Sequence, residues 1–216
     1  MAAGYDKPDF WALKARKEGY PARSVYKLEE IAAKFGLLKK GSGGAAAQGA
    51  APSQGPGPTI LDIGAAPGSW SLWLLRALAG SGRLAAVDIQ DLGISPKDAN
   101  FTFIKGSIFD EAIRARLREA GPYTLVVSDA APSTTGNRLV DQARSEDLVE
   151  AVMELGLEVL APGGALVMKI FQGGEEKRLI TELKKRFGQA RGFKPEACRA
   201  GSFETYLVAT GFRNRN

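Results

Sequence analysis

The sequence predicts an α/β protein: a mostly parallel sheet of seven strands, flanked by helices and closed by an antiparallel hairpin. Three observations predict it. From Thr59 onward, short apolar runs alternate with longer amphipathic ones, the signature of βαβ units. A Gly-rich turn, Gly64 to Gly68, joins the first strand-like run to the first helix-like one, where doubly wound sheets keep their ligand crevice. Near the C-terminus two strand-like runs follow one another with no helix between them. A chain of 216 residues supports one substantial core and is too short for two generous domains.

In chain order, the composition predicts a helix over Lys7–Gly19 and a second over Ser24–Phe35, with Ser24 as N-cap and Gly36 after its end. Residues 1–40 form a basic helical extension. They hold nine of the basic residues against five acidic ones, and so supply four of the five net positive charges. Residues 41–58 carry no charge and consist almost entirely of Gly, Ala, Pro, Ser and Gln, the composition of a flexible linker or tolerated insertion. The core, 59–216, has strands expected at Thr59–Ile63, Leu84–Asp88, Phe101–Ile104, Thr124–Ser128 and Ala165–Ile170. Helices are expected at Ser69–Ala79, Glu111–Ala120, Asp141–Leu160 and Glu175–Phe187. The closing hairpin is placed at Gly192–Arg199 and Glu204–Thr210, across a tight Ala200-Gly201-Ser202 turn.

Composition also excludes chemistry. The chain has no histidine, so Ser-His-Asp triads, Cys-His pairs and histidine metal sites cannot be built from it. Cys198 is the single cysteine, which excludes an intrachain disulfide and multi-cysteine zinc sites. No metal is expected. Proton transfer falls to lysine, a carboxylate, tyrosine, the cysteine or water. No run approaches the roughly 20 apolar residues of a membrane span, and the N-terminus is charged where a signal peptide would be apolar. A cytoplasmic protein without membrane contact is the expectation. The pI of about 9.3 fits an anionic partner without requiring one.

The turn Asp62-Ile63-Gly64-Ala65-Ala66-Pro67-Gly68-Ser69-Trp70 spaces its glycines as Gly-x-x-x-Gly, not as the Gly-x-Gly-x-x-Gly of a dinucleotide site. Pro67 removes an N–H that a pyrophosphate cradle would use. Asp88 ends the second strand, where a carboxylate can accept both hydroxyls of a nucleoside ribose. Together these favour S-adenosylmethionine over NAD. Further along, Asp129 ends the fourth strand beside the same crevice, and Lys169 lies among apolar neighbours in a fifth strand expected to be internal. A charge there is costly, which makes it a candidate for function. Glu204 opens the last strand, within reach of a lysine, and by itself reads as an ordinary surface residue.

These segments carry a family resemblance. Arg23-Ser24-Val25-Tyr26-Lys27-Leu28, Gly64 to Ser71, Ser128 to Pro132, Leu160 to Gly164, Lys169 to Gly173 and Glu204 to Gly211 occur in the order found in the FtsJ/RrmJ family of RNA 2′-O-ribose methyltransferases, which the chain resembles from about Lys14 to Arg213. The resemblance implies a Rossmann-like S-adenosylmethionine-dependent methyltransferase fold. It implies a tetrad of Lys27, Asp129, Lys169 and Glu204, and cofactor contacts at Gly64, Gly68, Trp70, Asp88, Ser107 and Asp129. Ser107 is a departure, since close relatives carry an adenine-binding aspartate there, and Asp110 is a second candidate for that contact. Pro21 is another, replacing an arginine on the approach to Lys27. The implied substrate is a uridine in the A-loop of 23S ribosomal RNA within the large ribosomal subunit, and the implied state a monomer.

A methyl sulfonium is already electrophilic, so catalysis requires in-line geometry and a base for the ribose hydroxyl. Lys169 is the candidate base: desolvation and the cation of Lys27 favour its neutral form, and the carboxylates oppose this. Asp129 would orient the lysine and the cofactor, and Glu204 would hold one of the lysines. The alternatives are a transfer RNA substrate, an idle RNA-binding module of the same fold, and a nicotinamide-dependent reductase, which the Pro67 turn disfavours.

Overall fold

The computed structural model describes residues 9–38, 57–132, 138–171, 175–199 and 201–213. Most of the 41–58 segment therefore lies outside the described residues, as does the expected helix start at Lys7. The first helix, α1 (Phe10–Lys17), begins where Asp9 accepts a hydrogen bond from Ala12 N at 2.8 Å. The second, α2 (Val25–Phe35), ends on Gly36 in the left-handed conformation as expected. Ser24 does not cap it, because its own backbone is already helical.

Among the described residues seven strands form one sheet: β1 (Thr59–Ile63), β2 (Arg83–Asp88), β3 (Phe101–Lys105), β4 (Tyr123–Ser128), β5 (Leu160–Phe171), β6 (Phe187–Phe193) and β7 (Glu204–Phe212). Their order is β3-β2-β1-β4-β5-β7-β6, with β7 antiparallel to both neighbours and the other pairings parallel. The chain runs outward from β1 to β3 in one direction and from β4 to β5 in the other. The loops after β1 and β4 thus part company at the strands' C-terminal ends, and a crevice opens there.

Helices α3 (Ser69–Leu78), α4 (Glu111–Ala120), α5 (Arg138–Val159) and α6 (Glu176–Arg186) cover the sheet. One core lies under α4, α5 and α6, through Leu117, Leu155 and Leu179. The other lies under α2 and α3, through Leu28, Ile31, Trp70 and Leu74. Leu28 and Ile31 are fully buried, and each such side chain contributes roughly 1.5–3 kcal/mol. The α2 part of the basic extension is therefore built into the core.

Two strands depart from the sequence expectation, and α5 begins three residues before the expected Asp141, at Arg138. β5 starts at Leu160, five residues early, because Leu160 already pairs with Tyr123; residues 161–164 then bulge before pairing resumes at Leu125 and Ala165. The hairpin strand expected at Gly192–Arg199 is instead Phe187–Phe193, and α6 stops at Arg186. Phe187 decides this, since it is fully buried and packs on Phe212 with ring centroids 5.2 Å apart. Beyond Phe193, Pro195 has no N–H for a ladder. The chain turns instead to α2, where Glu196 N and Ala197 N donate to the Glu30 carboxylate at 2.7 and 2.9 Å. The connection to β7 thus spans residues 194–203, and Ala200 of the expected turn lies outside the described residues. No helix among the described residues is long and apolar enough to cross a membrane.

Candidate active site

A cavity of about 550 Å³ opens at the C-terminal ends of β1 to β4. Its floor depends on Gly64, which has φ +74°, and whose Cβ, if present, would lie 2.5 Å from Ala130 Cα. The turns after β1 and β4 can touch only because that atom is absent. Asp88 Oδ2 accepts from Ala66 N at 2.9 Å and Oδ1 from Gln90 N at 2.8 Å. Those bonds fix the carboxylate and leave a lone pair on each oxygen for a ribose hydroxyl. Ile89 and Phe109 also line the cavity and are more than half exposed, offering apolar surface to a heterocycle. Volume, carboxylate and apolar rim fit a nucleoside cofactor such as S-adenosylmethionine.

Gly64, Asp88, Ser107 and Asp129 of the expected contacts line this cavity; Gly68 and Trp70 do not. Gly68 is the N-cap of α3 and is backed by Ile94. Trp70 is buried, donates from Nε1 to the Ser24 carbonyl at 2.8 Å and packs on Tyr206. Its indole braces the N-terminal end of α2 against the turn. The Ser107 hydroxyl accepts from Phe109 N at 3.2 Å. Asp110 caps α4 by accepting from Ala112 N at 2.9 Å and does not line the cavity.

The four tetrad residues meet as two ion pairs. Lys27 Nζ lies 2.7 Å from Glu204 Oε1, and Lys169 Nζ lies 3.2 Å from Asp129 Oδ1 while donating to the Asp129 main-chain oxygen. Register explains the assembly. Lys169 sits opposite Tyr206 across the β5–β7 ladder, and Glu204 is two residues from Tyr206, so the three side chains share one sheet face. Ser128 pairs with Met168, which brings Asp129 to the level of Lys169. Burial alone would raise the Glu204 carboxyl; the hydrogen bond and charge of Lys27 outweigh it and hold the carboxyl below its ordinary value. Each lysine thus faces a carboxylate.

Three neighbours escaped sequence reasoning. Tyr206 is fully buried and donates from its hydroxyl to Asp129 Oδ1 at 2.7 Å, fixing the same carboxylate oxygen that faces Lys169 Nζ. Cys198 lies beside Glu204, and burial pushes its thiol up to about 12, which keeps it protonated. Asp62 is wholly buried in β1 and accepts from Ser71 Oγ at 2.7 Å, while its Oδ1 has no hydrogen-bond partner among the described residues. Burial, opposed by the Ser71 bond and reinforced by the charges of Asp129 and Asp88, raises Asp62 to about 7. An acidic residue in an otherwise apolar strand was the available signal for Asp62; a tyrosine in a strand gives none. Among the described residues no cluster of His, Cys, Asp and Glu could hold a metal ion.

A doubly wound sheet with this nucleoside crevice beside a centre of lysines and carboxylates defines an S-adenosylmethionine-dependent methyltransferase. The chain belongs to the FtsJ-like methyltransferase family, whose model matches residues 20–212. It is 47% identical over 209 residues to the ribosomal RNA large subunit methyltransferase E of Treponema denticola, covering 97% of each chain. It is 43% identical to the protein of the same name from Borreliella afzelii, covering 94% of this chain and 98% of that one. Among solved structures, a protein described as a ribosomal RNA methyltransferase from Plasmodium falciparum superposes with a TM-score of 0.72 at 27% identity, over 91% of this chain and 100% of that one. Human methyltransferase-like protein 13 in complex with SAH shares the fold, with a TM-score of 0.57 at 15% identity over 88% and 84% of the two chains.

Proposed function

We propose that the protein transfers the methyl group of S-adenosylmethionine to a ribose 2′-hydroxyl of 23S ribosomal RNA in the large ribosomal subunit, at a uridine of the A-loop. The observation that carries the chemistry is the convergence of Lys27–Glu204 and Lys169–Asp129 at the edge of the crevice. The names of the relatives support the substrate. When bound, the donor would supply an electrophilic methyl group, with Asp88 holding its ribose and the Gly64 turn lining its crevice. Lys169 Nζ, in its neutral form, takes the proton of the 2′-hydroxyl, and the two Asp129 oxygens that contact it aim it. Tyr206 holds Asp129. Glu204 holds Lys27, which stands within the charged extension and meets the RNA backbone. The protein works as a cytoplasmic monomer without a metal.

The test is transfer of a radiolabelled methyl group to large ribosomal subunits, free ribosomal RNA and transfer RNA from a strain lacking the gene, followed by mapping of alkali-resistant linkages. Label in 23S RNA of the large subunit is expected. Label confined to transfer RNA would establish the alternative substrate, and binding of RNA without transfer would make the chain an idle module.

A further inference from the structure

A methyl donor built on adenosine presents a 6-amino group, and a site that reads it needs an acceptor at the outer end of the crevice. Three aspartates line the cavity. Asp88 is held by Ala66 N and Gln90 N at the ribose level, and Asp129 by Tyr206 and Lys169. The third is Asp147, exposed on α5 and without a hydrogen-bond or ion-pair partner among the described residues. Ser107 offers only an uncharged hydroxyl that already accepts from Phe109 N.

Helix geometry places Asp147 on α5 toward the end of α4 that adjoins the Ser107 turn. Residues 147, 154 and 158 fall on one stripe of α5, and that stripe faces α4: Arg114 pairs with Glu154 at 3.8 Å and with Glu158 at 2.6 Å, and Arg118 pairs with Glu158 at 3.1 Å. Asp147 lies roughly 10 Å up the stripe from Glu154, at about 1.5 Å per residue. The start of α4, its Asp110 cap and the Ser107 turn lie in the same direction along α4. The apolar rim residues Ile89 and Phe109 border the same space.

We propose that Asp147 is the charged acceptor for the 6-amino group of the donor's adenine, and so the residue that selects adenine where Ser107 brings no charge. The proposal rests on the donor being S-adenosylmethionine. Calorimetry tests it with two ligands, S-adenosylhomocysteine and S-inosylhomocysteine, whose 6-oxo group cannot donate. The unaltered protein prefers the adenine ligand by about tenfold or more, as expected for a hydrogen bond to a charged acceptor. Asp147→Asn keeps its shape but can donate to the 6-oxo group, so it weakens S-adenosylhomocysteine about tenfold and leaves S-inosylhomocysteine equal or tighter. An unchanged melting temperature for the free variant verifies its fold. Equal weakening of both ligands, or weakening of neither, overturns the assignment of Asp147 alone. Failure of the unaltered protein to bind S-adenosylhomocysteine overturns the donor and the assignment together.

Discussion

At Lys169 a single ammonium meets two oxygens of one residue, and this fixes where its lone pair can point once a proton is lost. Lys169→Arg retains the charge but cannot act as a base near neutrality. Single-turnover methylation at saturating RNA and donor should fall about 10²–10⁴-fold in Lys169→Arg and in Lys169→Ala, with donor affinity kept within a few-fold. Substantial turnover in the arginine variant would leave Lys169 a positioning residue. Asp62 and Glu204 give the molecule opposite responses to pH. Asp62, raised from 3.8 to about 7, contributes fully below 3.8 and loses that contribution as pH rises towards 7. Glu204, depressed, contributes above its ordinary 4.5 and loses the contribution as pH falls through its folded value. Urea midpoints at about pH 5 and about pH 8 should therefore show the unaltered protein losing stability relative to Asp62→Asn as pH rises. A parallel response of the two proteins would mean that Asp62 folds ionised. Lys169 and Asp129 were legible in the sequence because charge in or beside an apolar strand is costly; Lys27 and Glu204 were legible only through resemblance, since each alone looks like a surface residue. Tyr206 was hidden because its hydroxyl finds its partner across 77 residues of sequence.

Among the connecting elements, the turns differ sharply in what they tolerate. Gly80 has φ +79° and open space within 4 Å of where a methyl group would stand, so Gly80→Ala should cost only the left-handed strain of about 1–2 kcal/mol. Gly64→Ala adds a collision with the Ala130 backbone and should cost about 2–5 kcal/mol, with loss of donor binding. Chemical denaturation of both variants separates strain from collision, and equal costs would refute the close approach of the two turns. Strands β1 to β4 were readable to within a residue or two, because apolar runs bounded by turn residues specify them locally. The start of β5 and the whole of β6 were not. Their limits depend on Tyr123 and Phe212, partners that no local window contains.

For the molecule as a whole, the excess charge of the N-terminal extension predicts a salt-dependent grip on RNA. Lys14 is a poor probe of it, because its ammonium lies 4.2 Å from the centre of the Tyr26 ring and 3.9 Å from Glu18. Lys17 is exposed on the same helix and suits the measurement. Lys17→Ala should reduce the slope of log affinity against log salt by about one while sparing turnover of bound substrate. An unchanged slope would place the RNA path elsewhere. The position of β7 has a consequence for timing. Among the described residues it is the last strand in sequence, yet it lies inside the sheet between β5 and β6 and supplies both Glu204 and Tyr206. During synthesis Lys27 and Asp129 are both made before the strand that carries their partners, the Glu204 carboxylate and the Tyr206 hydroxyl. A chain cut short before Glu204 lacks the partners of both Lys27 and Asp129. Methyl transfer thus waits on β7, so a product cut short before that strand is inert instead of indiscriminate.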